Sequence, residues 1–364
     1  MNLEFSEEQQ LLTNMVEKFT ANCYGDNQRH EYLKSDQGFS TENWQLMAET
    51  GILSIPFSES YGGLGGSAED LASVMQPLGK AVAVEPVLSG VTLAGNFLNR
   101  AGTESQKSVW IPKIISGESQ LALAHIEIAA RYDLSHIGVR YDSDNQISGR
   151  KTFVLGAGAA DGFIVSAIAN GTETGDEDEI RFFLVENDAP GLIRRNYRLV
   201  DGSVACELEF QNVMGAPMLG SFKDLLAAIS LTKIAACAEM IGLMEIAFES
   251  TLEHLKTREQ FGRPLSSMQA LQHRLADAYL DLELCRSHLI KLAALEESDP
   301  TFEKTISGSK AFISKRAVAL AEEAVQLHGG MGITDELIVG HAMKRILLLS
   351  TLFGDVDAEM RRYS

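Results

Sequence analysis

Apolar and polar positions along the chain follow three different rhythms. In the first stretch, Leu11, Leu12, Met15, Val16 and Phe19 recur at helical spacing behind Ser6, Glu7, Glu8 and Gln9, a capping-box start. Tyr61-Gly62-Gly63-Leu64-Gly65-Gly66-Ser67 is too rich in glycine for a helix and predicts a loop, followed by a second capped helix with Leu71, Val74 and Met75 on its apolar side. In the second stretch the apolar runs are short: Leu121–Ala124, Thr152–Leu155, Phe163–Val165, Phe182–Val185 and Cys206–Phe210. Turn signals at Asp144-Asn145 and Ala189-Pro190-Gly191 punctuate them, which predicts a small antiparallel barrel or sandwich. In the third, amphipathic stretches over 222–256, 266–296, 301–328 and 335–362 are joined by short connections, which predicts an antiparallel four-helix bundle. The expected fold class is therefore α+β and multidomain: an N-terminal helical domain over 1–120, a middle antiparallel β domain over 121–217 and a C-terminal four-helix bundle over 218–364.

Composition narrows the functional classes. The chain has 364 residues, 45% of them apolar and 22% charged, an ordinary balance for globular cores. A net charge of −19 argues against nucleic acid and against an anionic membrane surface, since both need clustered Lys and Arg. No run approaches the roughly 18 consecutive apolar residues of a membrane helix. The start, Met-Asn-Leu-Glu-Phe-Ser-Glu-Glu, has neither a basic nor an apolar leader region, so a cytoplasmic location is expected. Cys23, Cys206, Cys237 and Cys285 are far apart and form no metal-ligand or disulfide pattern, so buried reduced thiols are expected and no metal. The acidic tract Gly171–Glu179 repels itself and predicts a solvated hairpin loop.

Two stretches carry candidate chemistry. Lys256-Thr257-Arg258-Glu259-Gln260-Phe261-Gly262-Arg263-Pro264-Leu265 lies between two helices and sets a guanidinium and an aromatic ring three residues apart. Arginine suits bidentate phosphate contact and phenylalanine suits stacking on a planar ring, but a basic helix C-terminus with a glycine cap explains the same residues. Gln326-Leu327-His328-Gly329-Gly330-Met331-Gly332-Ile333-Thr334 exposes backbone N–H groups to a phosphate or a ring. It equally suits a turn, with His328 a structural histidine.

At this spacing and in this order, the two stretches resemble those of the acyl-CoA dehydrogenase family. The likeness also rests on Gln269-Ala270-Leu271-Gln272-His273-Arg274-Leu275-Ala276-Asp277 and on Gly51-Ile52-Leu53-Ser54-Ile55-Pro56 with Tyr61-Gly62-Gly63, and it extends over essentially the whole chain. Ala129-Ala130-Arg131-Tyr132-Asp133-Leu134 and Thr351-Leu352-Phe353-Gly354-Asp355 most resemble the small subunit of pimeloyl-CoA-dehydrogenase-like heteromeric enzymes. The resemblance implies FAD as cofactor, an acyl-CoA substrate of the fatty or steroid side-chain kind, and electron-transfer flavoprotein as acceptor. It assigns Arg258 and Phe261 to the FAD of a neighbouring subunit, and Gln326, Gly329 and Gly330 to its adenosine part. The flavin-lining segments fall on His125, Ile126 and Glu127, with Tyr132 and Asp133 downstream, and on Phe153 and Leu155. Ile126 and Leu155 stand where the family has hydroxyls, and Phe153 stands for its tryptophan.

The resemblance also asks for a carboxylate base with a raised pKa in a dry pocket. The usual positions fall on Phe353 and Thr232, and neither is a carboxylate. Asp355, two residues on, is the catalytic candidate and a possible ribityl contact; Glu239 and Glu259 are weaker ones. Three functions are open: a dehydrogenase subunit whose larger homologous partner supplies the glutamate in an α2β2 assembly, or a homotetramer with its own base; a catalytically silent structural or regulatory subunit; or a flavin oxidase on the same fold.

Overall fold

The computed structural model describes residues 6–25 and 28–364; the reading of residues 1–5 as lacking a leader lies outside them. Six helices come first: α1 (Glu7–Cys23), α2 (Gln28–Lys34), α3 (Thr41–Glu49), α4 (Ala68–Lys80), α5 (Asn96–Ala101) and α6 (Glu104–Ile115), with a π-helical segment, Val87–Gly95, leading into α5. Eight strands follow: β1 (Leu121–Ala124), β2 (Arg140–Tyr141), β3 (Gln146–Leu155), β4 (Gly162–Ala169), β5 (Arg181–Glu186), β6 (Leu192–Arg198), β7 (Val204–Met214) and β8 (Ala216–Pro217). Then come α7 (Phe222–Thr257), a hairpin of β9 (Glu259–Gln260) and β10 (Arg263–Pro264), α8 (Gln269–Ala293), α9 (Phe302–His328), α10 (Ile338–Thr351) and α11 (Val356–Tyr363). The order helices, strands, helices is the one the hydrophobic rhythm predicts.

These elements form two compact units, each with its own core. The helical unit gathers residues 6–25, Ala68–Ala83 and Lys233–Ser364. Ser6 caps α1 and shares a reciprocal capping box with Gln9. Gln9 then reaches Glu69 of α4 at 3.0 Å, and Thr13 donates to Ser73 O at 3.1 Å. A Cβ at Gly242 of α7 would lie 1.9 Å from Gln76 O, so α4 and α7 cross in backbone contact that only glycine permits. By length and composition α7 would pass for a membrane-crossing helix, yet 83% of its most apolar window is buried in the fold, as in a core helix.

The mixed unit holds residues 28–67 and Val84–Thr232. Its sheet runs β6-β7-β3-β2-β4-β5-β8, with β1 added on β4. Most neighbours are antiparallel as expected, but β1 and β2 both lie parallel to β4, which short runs cannot announce. Val139, Ile147, Val154, Phe163, Val165, Phe183, Leu208 and Phe210 fill the interior. The acidic tract over 171–179 is mostly exposed between β4 and β5.

One departure matters for function. The last amphipathic stretch is not one helix: α10 stops at Thr351 and α11 starts at Val356. Gly354 has φ 151°, a conformation reserved for glycine, and Asp355 caps α11 by accepting from Ala358 N at 2.8 Å.

Candidate functional site

In the helical unit, β9 and β10 close a two-residue hairpin in which Gln260 pairs with Arg263. Both residues of its loop, Phe261 and Gly262, have positive φ, 53° and 75°, the signature of a type I′ turn. Glycine suits this, whereas phenylalanine is strained there. The result is a ring that is 90% exposed at the tip. Arg258 stands exposed at the base, its backbone N–H donating to His254 O at 2.9 Å and its carbonyl accepting from Leu265 N at 2.9 Å. Gln326, Gly329 and Gly330 are exposed at the end of α9, and a Cβ on either glycine would meet nothing within 4 Å. The neighbouring His328 is buried, stacked at 4.4 Å on His254, with Nδ1 bound to Ala324 O, which makes it structural.

The segment after α10 is fastened from several sides. Phe353 is 7% exposed with φ 57°. Arg362 donates to Phe353 O at 2.7 Å, and Lys310 donates to Gly354 O at 2.6 Å and Ser350 O at 3.3 Å. Glu359, with no exposed surface, accepts from Lys233 at 2.8 Å and from Arg362 at 2.7 Å. Burial pushes the Lys310 ammonium down to about 8 and lowers Lys233, although Glu359 opposes both shifts. The same burial pushes the nearby Cys237 thiol up to about 12, so it stays protonated. Glu239 is held by Arg345 at 2.6 Å, and Glu259 is exposed.

In the mixed unit the two flavin-facing candidate segments meet. Between Lys151 and Val154 strand β3 carries one residue more than β7, a bulge that leaves Phe153 at φ 53°. Thr152 N donates to Ile126 O at 2.9 Å, so His125–Ile126 lies alongside Thr152–Leu155. The His125 ring is buried between Ser166 Oγ and Leu134 O, both at 2.9 Å; burial first and the Lys151 charge second push its pKa down to about 3, so it is neutral. Beside these segments a cavity of about 320 Å³ opens, lined by Glu127, Ile128, Lys151, Thr152, Arg195 and Glu209 among others. Ile126, Phe153 and Leu155 are not among its walls. Thr232 ends the mixed unit, buried, its hydroxyl donating to Ala228 O at 2.7 Å. Lys151 directly precedes the apolar run Thr152–Leu155, but no local pattern marks it as a buried cation; its partners come from 15 to 26 positions away.

Three consecutive family models account for this architecture: acyl-CoA dehydrogenase N-terminal domain over residues 6–118, middle domain over 122–213 and C-terminal domain over 222–362. The chain belongs to the acyl-CoA dehydrogenase family, oxidoreductases acting on the CH–CH bond of acyl-CoA thioesters by flavin-dependent dehydrogenation. It is 29% identical over 377 residues to a probable acyl-CoA dehydrogenase, YngJ, of Bacillus subtilis, covering 100% of this chain and 98% of that protein. The crystal structure of an acyl-CoA dehydrogenase from Geobacillus kaustophilus matches with TM-score 0.90 and 25% identity, over 99% of this chain and 97% of that one. A chain of the ChsE4–ChsE5 complex from Mycobacterium tuberculosis matches with TM-score 0.88 and 25% identity, over 100% and 97%.

Proposed function

We propose that this chain is an FAD-binding component of an acyl-CoA α,β-dehydrogenase, and that the base removing the substrate's α-proton comes from a second, homologous chain. One observation carries the reading: no position expected to hold the base offers an available carboxylate. Phe353 is a buried ring, Thr232 a hydroxyl bound within its own helix, and Asp355 is committed to capping α11. The ChsE4–ChsE5 relative is a complex of two differently named chains, which supports a partnered arrangement. The small-subunit likeness of 129–134 and 351–355 agrees with it. Electron-transfer flavoprotein is the acceptor this reading expects.

The residues present fit the dinucleotide. Gly262, Gly329 and Gly330 leave open space over bare backbone, beside an exposed guanidinium and an uncovered ring. Arg258 offers phosphate a planar cation, Phe261 a stacking face, and the glycine amides neutral donors. FAD, when bound, accepts the hydride; the chain's part is to hold and orient it. Titrating the purified chain with FAD tests the reading. The wild type is expected to bind, and Arg258→Ala to weaken binding about tenfold or more at an unchanged unfolding midpoint. A wild-type chain that takes up no FAD contradicts it.

A further inference from the structure

We propose that Lys151 is a positioning residue, which sets the edge of the mixed unit toward the flavin by tying loop 126–139 to strand β3. The inference rests on the FAD reading above and adds to it how that edge is held.

Lys151 has no exposed side-chain surface, and its ammonium carries three N–H donors. Three acceptors meet it: Glu127 Oε1 at 2.7 Å, Ser166 Oγ at 2.9 Å and His125 O at 3.0 Å. Each acceptor extends the tie. Glu127 also accepts from Val139 N at 3.1 Å and, through its other oxygen, from Gly138 N at 2.8 Å. Ser166 Oγ accepts from Lys151, so its hydrogen goes to His125 Nδ1; the second nitrogen, Nε2, then donates to Leu134 O. The beginning, middle and end of the loop therefore converge on one ammonium, and every donor in the circuit is matched. The loop is pressed closely onto it, since a Cβ at Gly138 would sit 2.7 Å from Glu127 Oε2.

Stability alone is a poor reason for such a circuit. A buried ion pair often does no better than apolar residues of the same volume, and the adjacent core positions Val154 and Leu208 are apolar. What the charge adds is direction. Lys151 sits one residue before the Thr152–Ile126 backbone bond and two before the strained Phe153, so it fixes the register of both flavin-facing segments. Glu127, Lys151 and Thr152 also form part of the cavity wall beside them. Burial pushes Lys151 down to about 8, with Glu127 opposing.

The test compares wild type, Glu127→Gln, Ser166→Ala and the uncharged pair Glu127→Gln with Lys151→Met. The readouts are amide exchange of 126–139 without FAD, FAD affinity, and the visible circular dichroism of bound flavin. Glu127→Gln keeps one acceptor oxygen but loses the counter-charge and the bond from Gly138 N, and is expected to speed exchange of the loop relative to wild type. The uncharged pair is expected to fold, to exchange about tenfold faster in the loop alone, to bind FAD about tenfold more weakly and to change the flavin dichroism. Wild-type loop exchange and dichroism in the folded pair overturn the proposal. If the pair fails to fold, Ser166→Ala decides: it is expected to speed loop exchange, and unchanged exchange overturns the proposal. A wild type without FAD binding refutes the functional reading instead, and loop exchange still decides the role of Lys151.

Discussion

Among the described residues, seven non-glycine residues have positive φ, and three of them, Phe153, Phe261 and Phe353, are phenylalanines at positions singled out as flavin contacts or base position. Bulky residues avoid this conformation, so holding a ring there costs free energy that the surroundings must supply. At Phe261 the ring is exposed, so the strain there brings no packing gain. Phe261→Gly is therefore expected to stabilise the chain by about 1 kcal/mol in thermal unfolding while weakening FAD binding; loss of stability together with unchanged FAD affinity contradicts this. Glu359 is the opposite kind of residue, fully buried between Lys233 and Arg362. Glu359→Ala leaves the buried Lys233 ammonium unmatched and is expected to cost roughly 3–5 kcal/mol in denaturant unfolding. Arg258, Phe261 and the 326–330 glycines could be proposed from the sequence because their chemistry lies in short contiguous stretches. Lys151, Lys310 and Glu359 were not, because each acquires its role from partners distant in sequence.

Element boundaries were legible where local chemistry sets them. The Ser6 capping box and the strand runs follow from propensity and spacing, whereas the Phe261-Gly262 hairpin stands where the sequence reads only as a turn between two helices. The break between α10 and α11 was not, because its apolar rhythm continues through Phe353; Gly354 and Asp355 carry the stop. That break is fastened by Lys310, and its titration has a definite sign. The folded pKa is about 8 against an ordinary 10.5, so from about pH 8 to 10.5 the unfolded chain holds more protons and stability rises with pH. Below that window the cost of burying the charge is fully present. Lys310→Met removes the titration, so wild type is expected to gain on the variant in urea unfolding as pH rises through the window; a flat difference contradicts the assignment. Asp355→Ala is expected to cost about 1 kcal/mol through the lost cap, whereas Asp355→Asn keeps the cap. Turnover of any assembled enzyme is expected to survive the Asn change, and its abolition restores Asp355 as the base.

At the scale of the whole molecule, the chain keeps the three domains of its family, yet Phe353 and Thr232 are not carboxylates and the Asp355 carboxylate caps α11. On the function proposed above, such a chain would hold the cofactor and depend on another chain for proton abstraction. The net charge of −19 fits neither nucleic acid nor an anionic membrane, but leaves local cations such as Arg258 free to meet phosphate. The direct measurement is the visible spectrum of the FAD-loaded chain, alone and without oxygen, during addition of acyl-CoA thioesters of several chain types. The flavin is expected to stay oxidised and yellow until a homologous chain carrying the glutamate is added. Bleaching by acyl-CoA in the isolated chain contradicts the account, because the base would then lie within these 364 residues.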